Sequence, residues 1–127
     1  MKIMKKNVNG KNFESLKELL RDAILREGFS ILSEYDFGKI LASKGMKCNG
    51  NAYVINMCNP SIAEKILNSN VTFGIHLPCK VGIFEGKNGY TLIYPEPTST
   101  IESEDPIVQS SLNKINEALR KISESFE

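Results

Sequence analysis

Tyr53-Val54-Ile55-Asn56-Met57-Cys58, followed directly by Asn59-Pro60-Ser61-Ile62-Ala63, places a strand signal and a helix signal back to back. Tyr53, Ile55 and Met57 alternate with Val54, Asn56 and Cys58, so bulky apolar groups share one face of a strand and smaller or polar groups the other. Asn59 then supplies an N-cap side chain, and Pro60 brings the pre-set φ of a first helical position. Ile62, Ala63, Ile66 and Leu67 form one apolar stripe and predict a helix that stops near Asn68. Cys58 stands at the junction, beside the partial positive charge of a helix N-terminus.

Upstream, Lys2 to Val8 alternates polar and apolar residues as a strand does, and Asn9-Gly10 closes it. Phe13, Leu16, Leu20, Ala23 and Ile24 follow helical spacing from a cap at Asn12 to a stop at Gly28. Phe29 to Ser33 predicts a short strand, Asp36 caps a helix carrying Phe37, Ile40 and Leu41 that closes at Gly45, and Cys48 to Asn51 forms a turn. Downstream, a loop through Gly74 leads by His76-Leu77-Pro78-Cys79 into a strand with Val81 and Ile83 on one face. Asn88-Gly89 turns that strand into a hairpin partner, Tyr90 to Tyr94. Pro95, Pro97 and Thr98 to Thr100 form a linker, and Asp105-Pro106 opens a last helix. Its Val108, Leu112, Ile115, Leu119, Ile122 and Phe126 alternate spacings of four and three. Over about two and a half heptads this predicts an amphipathic helix lying across a sheet, with a helix-mediated dimer as the alternative. Strands and helices mix without regular βαβ order, so the class is α+β in two layers.

The 127 residues are a one-domain length, and residues 1–127 are predicted as a single domain. Sixteen Lys and Arg against 15 Asp and Glu leave a net charge of +1. So small a charge provides no broad field for a phosphate backbone or an anionic bilayer, which excludes charge-driven binding to either. An apolar fraction of 41% with 24% charged residues describes a globular protein that buries a core. Met1-Lys2-Ile3-Met4-Lys5-Lys6 interleaves basic residues and contains no apolar run of signal-peptide or membrane-span length, so a cytoplasmic location is expected. Cys48, Cys58 and Cys79 are odd in number, include no Cys-x-x-Cys pair and match no zinc spacing, which predicts free thiols in place of a disulfide framework.

The run from the first helix through Gly28-Phe29, Tyr53, Cys58-Asn59-Pro60, Ala63 and Leu77-Pro78-Cys79 to the hairpin resembles the family called domain of unknown function 302. The resemblance spans residues 1–100, and the paired Cys-Asn-Pro and Leu-Pro-Cys signatures carry it. Residues 101–127, the linker end and the C-terminal amphipathic helix, are less diagnostic. The resemblance implies a small α+β domain whose two layers are an antiparallel sheet and helices packed on one face of it. That arrangement is similar to the TATA-binding-protein-like architecture, and a homodimer is implied with it. No activity and no cofactor are implied. Nucleic-acid binding is not imported with the architecture, because function lies in sites and not in folds.

Cys58 is the candidate reactive thiol, since a helix N-terminus lowers a thiol pKa; the plain alternative is a small buried packing group. If the Cys58 and Cys79 strands are neighbours, the two sulfurs with His76 or Met57 make a soft N/S set suited to zinc or copper(I). The candidate binding residues are thus Cys58, Asn59, His76, Cys79 and Tyr53, with Asn59 also explained as a cap. Tyr53, Tyr90, Tyr94, Phe73 and Phe84 either pack the core or line an apolar pocket between sheet and helices. Three functions follow. The first is a non-catalytic domain holding a small apolar or thiol-reactive ligand near Cys58 and Cys79. The second is a thiol-based redox or sulfur-handling protein with Cys58 as thiolate and Cys79 as resolving partner. The third is a protein-interaction module using its sheet or last helix. With no paired-carboxylate signature, glycine-rich phosphate loop or His-Glu-x-x-His motif, an enzyme is not favoured.

Overall fold

The structure, a computed structural model, describes residues 1–10 and 12–126. Its strands are β1 (Ile3–Val8), β2 (Ser30–Asp36), β3 (Ala52–Cys58), β4 (Cys79–Gly86) and β5 (Gly89–Pro95). The helices are α1 (Phe13–Arg26), α2 (Phe37–Ser43), α3 (Pro60–Ser69) and α4 (Pro106–Glu124), with short 3-10 segments at Val71–His76 and Pro97–Ser99. Asn12, Asp36, Asn59 and Asp105 cap the four helices, each side chain accepting a backbone N–H of the first turn. The class is α+β.

The strands form one antiparallel sheet in the order β1-β5-β4-β3-β2. Because β1 and β2 lie at opposite edges, α1 carries the chain across the width of the sheet. The expected β4–β5 hairpin is present, and β3 is paired with β4, Met57 opposite Cys79.

One face of the sheet is the core. Tyr53, Ile55, Met57, Val81, Ile83 and Leu92 are buried against Leu20 and Ile24 of α1, Ile66 of α3 and Leu119 and Ile122 of α4. Each such aliphatic side chain contributes about 1.5–3 kcal/mol by leaving water. The heptad-like helix α4 lies against this face and buries seven of its residues, as an amphipathic helix crossing a sheet should. Its C-terminal end is fastened to β1: Lys6 Nζ donates to Ser123 O (2.9 Å) and Phe126 O (2.7 Å), a cation where the helix carries partial negative charge.

The other face is open. Alternation and register put Val54, Gly82, Phe84 and Ile93 there, and a Cβ built on Gly82 would sit 2.6 Å from Tyr53 O and 2.8 Å from the Phe84 ring. The ring therefore covers the glycine and leaves no room for a side chain beneath it. This corrects one expectation. Tyr53, Tyr90 and Tyr94 are buried in the core and Phe73 packs at its margin, but Phe84, one residue out of phase with Ile83, lies on the opposite face.

Strand β2 runs three residues beyond Ser33 because a bulge between Ile31 and Ser33 resets the alternation and lets Tyr35 pair with Val54. Helix α2 begins where β2 ends. It forms as its cap and spacing predict, yet none of its residues is buried, and Phe37 stacks on Tyr35 with ring centroids 6.2 Å apart.

Candidate functional site

The two signature segments meet. Strand pairing brings Cys58 and Asn59, at the β3–α3 junction, beside Leu77-Pro78-Cys79 at the entry to β4, and the Leu77–Pro78 peptide is cis. Phe29, Met57, Ile62, Ala63 and Ile115 close around them. The crevice they leave is only about 10 Å³, room for about one water and no larger ligand. Asn59 is engaged as the cap of α3, its Oδ1 accepting from Ile62 N at 3.2 Å.

Cys58 and Cys79 both line this crevice. Cys79 lies opposite Met57 and shares its face, and Cys58 is the last residue of β3. Both are free thiols, as is Cys48. Burial pushes the Cys58 thiol up, opposite in direction to the lowering expected from the helix N-terminus. Loss of water around this half-buried sulfur disfavours the thiolate. Cys79 is pushed up to about 11, chiefly by burial, with the nearby Cys58 adding to the shift and Lys80 opposing it. Among the described residues no three His, Cys, Asp or Glu side chains are placed to hold a metal ion, so the strand pairing does not assemble Cys58, His76 and Cys79 into a ligand set.

Tyr53 is not at this place. It lies five residues from Cys58 along β3, roughly 16 Å at about 3.3 Å per residue. There its hydroxyl donates to Glu34 Oε1 at 2.8 Å, its ring meets Phe13 edge-on, and burial with the Glu34 bond pushes its pKa up. Lys17 is buried beside it, paired with Asp36 (2.8 Å) and Glu14 (2.9 Å), with its Nζ 4.7 Å from the centre of the Phe13 ring. This polar cluster is internally satisfied. It ties α1 to the residue that caps α2.

Space for a ligand lies next to the crevice. Leu77, Pro78 and Cys79 also wall a cleft of about 290 Å³, which Pro95, Pro97, Ile101 and Leu112 close from the other side. His76 and Ile75 stand exposed at its rim. The far walls come from the end of β5, the linker and α4. Nothing in those residues distinguishes them from ordinary core and turn positions, so the cleft was not visible in the sequence.

A two-layer α+β domain with one covered sheet face, and a junction where a Cys-Asn-Pro helix start meets a Leu-Pro-Cys strand start, defines the class. The chain belongs to the family described as Domain of unknown function DUF302, which it matches over residues 4–126. The match includes α4 and so extends past residue 100, where the resemblance was drawn to end. Among solved structures it is similar to the uncharacterized conserved protein DUF302 from Bacillus stearothermophilus. The two are 23% identical with a TM-score of 0.86, and the match covers 98% of each chain. That likeness establishes the shared fold. No curated protein matches the chain.

Proposed function

We propose that this domain is a non-catalytic binding protein that holds a small, largely apolar molecule in the cleft between the Leu77-Pro78-Cys79 segment and the linker to α4. One observation carries the proposal: an apolar cleft of about 290 Å³ adjoins the signature residues, near the lower size limit of small-molecule sites. Burial raises both thiols, which weighs against the redox alternative. Among the described residues no helix is long and apolar enough to cross a membrane; we place the protein in the cytoplasm, where its three thiols stay reduced.

The homodimer reading has a surface of its own. Leu32 and Tyr35 of β2 and Phe37 and Ile40 of α2 are each exposed, and Tyr35 stacks on Phe37; exposed apolar groups of this kind favour an interface there.

The cleft is tested with N-phenyl-1-naphthylamine, a neutral apolar dye that brightens on leaving water. The expected result is saturable enhancement at one site per chain. Ile75→Asp, at an exposed rim position, should weaken binding about tenfold or more without lowering the melting temperature, and Phe37→Ser should leave it unchanged. Enhancement that is absent, or that Phe37→Ser removes and Ile75→Asp does not, overturns the cleft as the binding site.

A further inference from the structure

We propose that the open face of the sheet is the contact surface between two copies of this chain, packed sheet against sheet. The proposal rests on the homodimer reading above and names its surface. An antiparallel sheet with one covered face ordinarily turns polar side chains to water on the other. Here the middle of the open face is apolar. Register sets Lys5, Ile93, Gly82, Val54 and Tyr35 side by side across the five strands, with Phe84 and Ala52 in the next row. The Phe84 ring lies over Gly82 and so fills the space between Ile93 and Val54. At the β2 edge Tyr35 stacks on Phe37, which makes the exposed groups of β2 and α2 the margin of this larger surface.

The polar groups beside that patch bond to one another. Lys80 Nζ donates to Asn56 Oδ1 at 3.3 Å, and Asn56 Nδ2 donates to Ser33 Oγ at 2.9 Å, so this row is paired before any partner arrives. Among the described residues the charges at paired positions of the face are Lys5 and Lys80, with no carboxylate beside them. A partner held by opposite charges finds little to read there. A flat apolar face is instead its own complement, the condition for a two-fold contact, and sheets pack face to face about 10 Å apart. The net charge of +1 sets no strong repulsion against a second copy. The area also suffices. Five strands of six to eight residues, about 4.8 Å apart and rising about 3.3 Å per residue, span roughly 24 Å by 20 Å. Two copies together cover about 1,000 Å² before side-chain relief is added, the size at which a specific interface begins.

Sedimentation velocity of the whole chain over a concentration series tests this. The unmodified protein should dimerise. Ile93→Lys, in the middle of the patch, should raise the dimer dissociation constant at least about tenfold, because each copy then brings an ammonium group into an apolar contact. Ile3→Lys lies on the same face at an exposed position of β1, where the fold tolerates it, and should shift the constant in the same direction. Ile107→Lys, at an exposed position of α4, should leave it unchanged. Far-UV circular dichroism checks that Ile93→Lys folds, and if it does not, Ile3→Lys decides alone. A dimer whose affinity survives Ile3→Lys and folded Ile93→Lys overturns this inference; if Ile40→Ser weakens that dimer, the homodimer reading stands with its contact at α2. A monomer at every concentration overturns the homodimer reading, and this inference with it.

Discussion

Helices α2 and α4 start in the same way and end in different physical situations. An aspartate caps each, Asp36 accepting from Lys39 N at 3.3 Å and Asp105 from Ile107 N at 2.9 Å. Each carries apolar residues at helical spacing. Yet α4 buries seven residues on the sheet, and α2, seven residues long, buries none. Spacing reports that a helix can form and which side is apolar. It does not report whether another element will cover that side. Helix α4 has 19 residues and lies across a face already made apolar by three strands. Helix α2 is fixed at its start, where Asp36 is gripped by Lys17, and leaves its apolar side exposed at the edge of the molecule.

Substitutions sharpen that contrast. Leu119→Ala in α4 should cost about 2–5 kcal/mol in urea unfolding, because a fully packed site cannot collapse around the void. A loss below 1 kcal/mol would mean that α4 is only loosely docked. Gly82→Ala comes next, at about 1–3 kcal/mol, since its Cβ meets a backbone oxygen that cannot move aside easily. A neutral outcome would contradict the placement of Phe84 over that glycine.

The thiols provide an effect of intermediate size. Alkylation of Cys79 at pH 7 should run at least about tenfold slower than that of a free thiol and accelerate as pH rises toward 11. The sign follows from a raised folded-state pKa. The buried neutral thiol stabilises the fold below the ordinary thiol range, and that contribution is lost as pH rises through about 11. Fast alkylation of Cys79 at pH 7 would contradict its burial. Smallest of all, Ile40→Ser in α2 should change stability by no more than about 0.5 kcal/mol. If sedimentation shows a dimer, the same change should weaken it, and an unaffected dimer would place the interface elsewhere.

Signals local in the chain were legible. The alternation of Tyr53, Ile55 and Met57, the cap-and-proline starts at Asn59 and Asp105, and the Asn88-Gly89 hairpin all read correctly because neighbouring residues set them. Strand order was not legible, since pairing β1 with β5 depends on residues more than eighty positions apart. The bulge at Leu32 hid the rest of β2 by breaking its alternation. At the site, the meeting of Cys58-Asn59 with Leu77-Pro78-Cys79 stood only as a condition on strand neighbourhood, which the β3–β4 pairing meets. Tyr53 was misplaced because alternation reports a strand's face and not which end meets a neighbour. The choice between a reactive and a packed Cys58 was left open by the sequence because burial is a property of the packed molecule.

The central claim is that the cleft beside the signature crevice binds a small apolar molecule. Amide NMR of the whole chain, titrated with N-phenyl-1-naphthylamine, tests it most directly. Saturable shifts should be confined to Ile75, His76, Leu77, Cys79, Lys80, Thr100, Ile101 and Leu112, non-proline amides lining the cleft. Shifts centred on Leu32, Tyr35 and Phe37, or none at all, would contradict it.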